Sequence, residues 1–341
     1  MIPVRSVSGG GGLWGRGGWL AATVVVAVLS VGGCRRPATR SESATGGANT
    51  RSRLHVFVSI LPQAYFVERV GGDRVVTDVL VGPGQSPATY CPSPRQMAAL
   101  ERADVYFTIG VPFEQTLMRK IRASLPELRV VDSRRGVTLR WMAPADHHDH
   151  AEPGAGTSAH GDEQASGGGA SSGPAGTPDP HVWLDPQRVK IIAQNMCEAL
   201  CSLDPAGATT YRRNLAAFQG DLDLLTARIR ALLAPFRGRA FYVFHPAYGY
   251  FADAFGLRQV AVEVEGKRPS PRRLERLIEQ ARADRVRVVV VQPQFATGTA
   301  EVIAREIGGE VVPIDPLARD YVKNLDAMAA KIAQALGERE P

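Results

Sequence analysis

The chain has 341 residues, 44% of them hydrophobic and 22% charged, and a formal net charge of +6. That length accommodates two modest domains, and the composition is globular. Arg5 and Arg16 lie in a segment expected to be removed. The remaining basic residues alternate with acids, as in Arg272-Arg273-Leu274-Glu275-Arg276, which marks a solvated surface and argues against nucleic-acid binding.

Residues 1–33 read as an export signal. Arg5 and Arg16 give a positive start, and Trp19 to Val31 is an apolar run too short for a transmembrane helix. The run ends at Val31-Gly32-Gly33-Cys34, small residues before a cysteine, as in a bacterial lipobox. The Cys34 thiol would then carry lipid, and residues 34–52 would form a polar tether at the periplasmic or extracellular face of the membrane. A simple membrane anchor or ordinary signal peptide is the alternative. The Gly9 to Gly12 run is unusual for a signal and is compatible with a later translation start.

From residue 53 to 203 the pattern is one of strands alternating with helices. Strands are expected at Leu54 to Leu61, Val75 to Val81 and Val105 to Ile109, with Val130-Val131 leading on towards Trp141. Helices are expected at Gln63 to Val70, Arg95 to Arg102, Phe113 to Ser124 and Gln187 to Leu203. Asp204-Pro205 predicts an N-cap with proline at the first helical position. The helix that follows runs to about Ala234, with Leu215, Phe218, Leu222, Leu225, Ile229 and Leu232 on one face. Thirty helical residues span roughly 45 Å, enough for residues 204–236 to cross a whole lobe as a rigid strut. Residues 237–341 repeat the alternation. Strands are expected at Ala240 to Phe244, Val260 to Val264, Val286 to Gln292 and Val311 to Ile314. Helices are expected at Ala247 to Phe255, Pro271 to Ala283, Thr299 to Ile307 and Tyr321 to Leu336. The fold class is therefore α/β: two lobes, each a mostly parallel sheet flanked by helices, joined by one long rigid helix.

A polar insertion over 144–178 interrupts the first lobe. It carries His147, His148, His150 and His160 in a Gly/Ser/Pro-rich tract and closes on Asp179-Pro180-His181-Val182-Trp183-Leu184-Asp185-Pro186. Clustered imidazoles and carboxylates point to zinc, copper or nickel. Beyond the insertion, His245 follows a strand of the second lobe directly, and so does Asp315. Ligands of open α/β sheets bind at such carboxyl ends. A ligand held by His181, His245 and Asp315 together would lie between the lobes, and these residue types are ordinary zinc ligands. Taken singly, each has a structural reading: a packed or capping histidine, a strand end, a turn starter. His55, inside the first strand, reads as structural. Cys197 and Cys201 share one helical face and read as two buried small hydrophobes; a disulfide between them is open.

Further segments make the pattern specific. They are Gly84-Gln85-Ser86-Pro87-Ala88-Thr89-Tyr90 with Pro92 to Met97, Phe244-His245-Pro246-Ala247-Tyr248-Gly249-Tyr250-Phe251, Lys267-Arg268-Pro269-Ser270-Pro271, Gln292-Pro293-Gln294-Phe295 and Ile314-Asp315-Pro316-Leu317. With the Asp179 to Pro186 motif, their order resembles that of the substrate-binding proteins of zinc and manganese ABC importers over Val58 to Leu336. The resemblance implies an extracytoplasmic receptor, a monomer and not an enzyme. It would capture Zn²⁺, with Mn²⁺ second, and deliver it to a membrane permease served by an ATPase subunit. It implies His181, His245 and Asp315 as metal ligands; histidine at 245 matches the zinc-type members. It also implies a metal-gathering role for the loop histidines.

The family's first ligand, a histidine before Thr-Tyr, is replaced here by Ala88. A methyl group binds no metal. Cys91 could supply a thiolate, a loop histidine could fold in, water could complete the site, or the site could be degenerate and bind weakly. Two other functions compete. A zinc hydrolase would use two histidines, a carboxylate and an activated water, but no HExxH-like motif supplies ligands and base together. A surface lipoprotein acting as adhesin or metal buffer is compatible with the lipobox.

Overall fold

Leu54–Ile60 forms strand β1, and its residues from Val56 onward are all buried. A strand hidden on both faces is what a parallel sheet with helices on either side demands of its centre. The computed structural model describes residues 53–142, 177–263 and 269–337. The export segment, Cys34, the tether, the four loop histidines (His147, His148, His150, His160), Lys267 and Arg268 lie outside the described residues.

After β1 come α1 (Leu61–Gly71), β2 (Val75–Val81), α2 (Pro94–Leu100), β3 (Val105–Thr108), α3 (Pro112–Ser124) and β4 (Val130–Asp132). The strands pair in the order β2-β1-β3-β4, all parallel. Two helices then leave the sheet: α4 (Pro186–Leu203) and α5 (Ala208–Leu233). The second lobe contains β5 (Ala240–Val243), α6 (Gly249–Phe255), β6 (Arg258–Ala261), α7 (Pro271–Ala283), β7 (Val288–Val291), α8 (Gly298–Glu306), β8 (Glu310–Pro313) and α9 (Tyr321–Gly337). Its strand order, β6-β5-β7-β8, repeats that of the first lobe, again all parallel. In both lobes the strand order reverses beside the first strand, which opens a crevice at the strands' carboxyl ends.

Local chemistry sets the helix starts. Proline opens α2, α3, α4 and α7, where its missing N–H costs no hydrogen bond. Ser93, Asp185 and Ser270 cap α2, α4 and α7 by accepting backbone N–H bonds from Gln96, Gln187 and Arg273. Asp204 departs from expectation. It makes no side-chain cap to the turn at Pro205–Gly207. Its carboxylate instead accepts from Arg74 Nε at 2.7 Å and Tyr211 Oη at 2.9 Å, pinning the α4–α5 corner to the turn that follows α1. A charged fork and a phenol outbid a short turn with few donors to offer.

Tyr211, Leu215, Phe218, Leu222, Leu225, Ile229 and Leu233 line the buried face of α5. Leu232 is exposed and Leu233 takes the inward place, because the step from Ile229 to Leu233 keeps closer to the stripe's centre at about 100° per residue. The buried face packs against α1, α4 and α9. Each such apolar side chain contributes about 1.5–3 kcal/mol by leaving water. One hydrophobic core runs continuously from β1 through α5 to α9 and one face of the second sheet. The alternation of side chains along a strand divides that sheet. Phe241, Val243, Val288 and Val290 face the shared core, while Ala240, Tyr242, Val289 and Val291 face a separate core under α7 and α8. The helix joining the lobes is thus embedded in the packing of both. Among the described residues no helix is long and apolar enough to cross a membrane.

Candidate metal centre

The carboxyl ends of all four strands of the second sheet converge. β5 runs through Phe244 into His245. β6, which occupies Arg258–Ala261 rather than the expected 260–264, pairs in register with β5 and carries the chain to Glu263, whose N–H donates to Phe244 O at 2.9 Å. That register lays a buried carboxylate beside the imidazole, with His245 Nδ1 and Glu263 Oε1 2.8 Å apart. β7 leads to Gln292-Pro293-Gln294-Phe295, and the Phe295 ring stacks on His245 with centroids 4.8 Å apart and planes 23° apart. A flat ring on one side and a carboxylate at one nitrogen fix the imidazole in position and tautomer. A carboxylate at Nδ1 favours the tautomer with its proton there, which leaves the Nε2 lone pair free.

His181 reaches the same place from the first lobe. The stems of the insertion meet in an antiparallel bridge, Trp141 opposite Pro178. Asp179 follows at once, completely buried, with Oδ1 accepting the His181 backbone N–H at 3.0 Å and facing its Nδ1 at 2.8 Å. The same logic applies: Nδ1–H to the carboxylate, Nε2 open. Val182–Leu184 forms a short 3-10 turn behind it. There Trp183, buried, donates from Nε1 to Pro316 O at 2.9 Å, a bond from the first lobe to the loop carrying Asp315. The His181 and His245 rings stand edge to face with centroids 5.3 Å apart. Two imidazoles sharing one tetrahedral zinc at the usual Zn–N distance place their centroids roughly 5 Å apart.

Asp315 ends β8. Its Oδ1 accepts from Gln294 Nε2 and from the Leu317 N–H, each at 2.9 Å, which leaves Oδ2 as the oxygen available to a cation. The β7 loop therefore touches both His245, through Phe295, and Asp315, through Gln294.

Burial pushes the His181 imidazole below its ordinary value. Asp179 opposes that shift, while His245 and the Arg140 guanidinium reinforce it. Burial alone would raise Asp179, but its bond and charge interaction with His181 and the charge of Arg140 outweigh it and hold the carboxyl below the usual range. The combination keeps a neutral imidazole on an ionised carboxylate, the protonation state in which a histidine accepts a divalent cation.

The other candidates stand apart. Ala88 and Cys91 are exposed in the loop after β2, and the Cys91 thiol points to Pro92 O at 3.9 Å. Among the described residues no group of three or more His, Cys, Asp or Glu side chains is gathered at metal-holding distance. His181 and His245 come together as a pair, and Asp315 is linked to them through Gln294, Phe295 and Trp183. His55 is bound into its strand, its N–H donating to Asp104 Oδ2 at 2.7 Å. Sequence reasoning gave no role to Asp179, Glu263, Phe295 or Arg140. For Glu263 a signal existed: one carboxylate at the end of the apolar run Val260-Ala261-Val262.

The model of the family described as zinc-uptake complex component A, periplasmic (ZnuA), matches residues 56–335 of the chain. The high-affinity zinc uptake system protein ZnuA of Brucella abortus is 29% identical over 292 residues, which are 81% of this chain and 87% of that protein. A crystal structure of ZnuA superposes with a TM-score of 0.73 at 37% identity, covering 84% of this chain and 100% of the other. A zinc-bound deletion mutant of ZnuA gives 0.73 at 38%, covering 85% and 100%.

Proposed function

The chain belongs to the family of periplasmic zinc-uptake complex component A, and on that premise we propose that His181, His245 and Asp315 hold its cargo in the crevice between the lobes. The protein is the substrate-binding component of a zinc ABC importer, and Zn²⁺ is its ligand. Members of the family are solute-binding proteins that serve a membrane permease and its ATPase. On our reading this chain makes and breaks no bond, acts as a monomer held to the membrane by lipid on Cys34, and takes zinc ahead of manganese. We place the N-terminal lobe at 53–203, the linking helix at 204–236 and the C-terminal lobe at 237–341.

One observation carries the ligand assignment. Two imidazoles from different lobes face each other at 5.3 Å, each with Nδ1 committed to a buried carboxylate. Both Nε2 atoms are then free for one ion, and the Asp315 oxygen supplies charge. The set is of zinc type, two nitrogens and a carboxylate at about 2.0–2.2 Å. For the fourth position the Cys91 thiolate, a histidine of the loop and water compete, with a degenerate, weakly binding site as the remaining alternative. An enzyme built on the same three ligands needs a base aimed at bound water, and the two carboxylates nearest the rings, Asp179 and Glu263, are both spent on Nδ1 atoms.

Elemental analysis and zinc titration of the mature protein test this reading. One tight zinc is expected. It should be lost in His181→Ala or His245→Ala and retained when residues 146–176 are deleted. Cys91→Ser with unchanged affinity removes the thiolate from consideration, and Ala88→His should tighten the site. A tight zinc that survives His181→Ala and His245→Ala together would overturn the assignment.

A further inference from the structure

We infer that Arg140 is a positioning residue that sets the spacing of the two imidazoles by tying the lobes together along one flank of the crevice. The inference rests on the reading of His181 and His245 as ligands of the cargo. Arg140 stands at the base of the insertion, where its carbonyl accepts the Asp179 N–H at 2.8 Å. Its guanidinium spans two carboxylates. Nη1 reaches Asp179 Oδ2 at 3.3 Å, and Nε donates to Asp253 Oδ2 at 3.0 Å. The other oxygen of Asp179 holds His181. Asp253 lies on α6, the helix that begins four residues after His245. A chain of charged contacts therefore runs from His181 through Asp179 and Arg140 to the element that follows His245.

A second strap lies alongside the first. The Arg140 N–H donates to Tyr250 Oη at 2.8 Å, and that hydroxyl donates to the Asp179 carbonyl at 3.1 Å. The Tyr250 ring packs under the Arg188 guanidinium at 4.8 Å. Gly249 explains how the guanidinium lies so flat on α6, since a Cβ there would come within 2.4 Å of Arg140 Nη1. Asp179 is completely buried and Arg140 partly so, whereas Asp253 is more than half exposed. The inner end of the link is therefore strong and the outer end adjustable. A planar fork is needed, because a lysine ammonium is a single point charge and cannot face two carboxylates from fixed directions.

The physical consequence is a contribution to holding the ion rather than to folding. The shared core already holds the lobes together, so a half-exposed ion pair adds little to stability. The same pair acts on a separation of 5.3 Å between rings, where small shifts alter whether both Nε2 atoms reach one ion.

The test uses the full mature protein loaded with one zinc. Release is followed by the absorbance change of a colorimetric zinc chelator supplied in excess, and thermal melts are run in parallel. Asp253→Asn and Arg140→Lys should each release zinc about two- to fivefold faster than wild type, the range of one partly exposed ion pair. Apo-protein melting should be unchanged in Asp253→Asn, whose ion pair is half exposed, and Asp253→Glu should restore the wild-type rate. Combining Asp253→Asn with Arg140→Lys should add little beyond either alone, because both cut the same link. Wild-type release rates in Asp253→Asn and Arg140→Lys would overturn the inference, as would fully additive effects. Failure of the wild type to retain zinc would instead overturn the ligand assignment.

Discussion

Glu263 offers the sharpest test of how the centre is built. Its carboxylate is buried and lies 2.8 Å from His245 Nδ1, and one face of that ring is covered by Phe295. In Glu263→Ala the Nδ1–H loses its acceptor inside the protein, at a cost of about 1–3 kcal/mol. The imidazole can avoid that cost only by moving its proton to Nε2 or by rotating, and either change removes the lone pair the ion needs. Loss of a carboxylate supporting a metal-bound histidine lowers affinity by about 10- to 100-fold, or about 1.4–2.7 kcal/mol. Glu263→Gln keeps an oxygen in place and loses only the charge, so its loss should fall at the small end. Competition with a fluorescent zinc chelator measures both constants, and circular dichroism melts establish that the variants fold. A folded Glu263→Ala protein with wild-type zinc affinity would refute the reasoning, since it would mean that the orientation of His245 does not depend on its carboxylate.

Three other outcomes follow from the packing. Burial pushes Glu114 up to about 7 against the pull of its bonds from Ser59, Ile109 N–H and Gly110 N–H; the folded chain therefore holds this proton more tightly than the unfolded one. Stability from this group is complete below the unfolded value of about 4.5, and roughly 3 kcal/mol is lost as pH rises to 7; Glu114→Gln should flatten that slope in urea titrations, and a parallel curve would sink the idea. Phe218→Ala empties a buried site between Tyr65, Phe66 and the Arg69 guanidinium; it should cost about 3–5 kcal/mol by chemical denaturation, and a loss under 1 kcal/mol would show that α5 is not held as described. Cys197 and Cys201 stand with sulfurs 3.9 Å apart on α4, but Cβ atoms four residues apart on a helix are about 5–6 Å apart where a disulfide needs about 3.5–4.5 Å. Both should react as free thiols with an alkylating reagent, Cys197 slowly because burial pushes it up to about 12; a mass gain of two hydrogens on reduction would contradict this.

The strands and helices were legible because their causes are local. Alternating apolar residues, proline at helix starts and serine or aspartate just before them act over a few positions, and β2 and α7 match their expected limits residue for residue. At Asp204 and at β6 expectation failed because a distant partner intervened. Asp204 looked like a cap, but Arg74, 130 residues away, claims its carboxylate. β6 was placed too late because its limits come from register with β5, and a single strand's sequence does not encode register.

The centre divides along the same line. His181, His245 and Asp315 stand out in the chain because each occupies a short motif of recognisable type, and those motifs also carry the family. That Asp179 and Glu263 fix the two rings, that Trp183 bonds to Pro316 across 133 residues, and that Arg140 joins Asp179 to Asp253 across 113 were decided only when the lobes packed on α5. Residue types and spacing determine which side chains have donor chemistry to offer. Which of them meet, at what distance and in which tautomer, depends on contacts between segments far apart in the chain, and only the folded core brings those segments together.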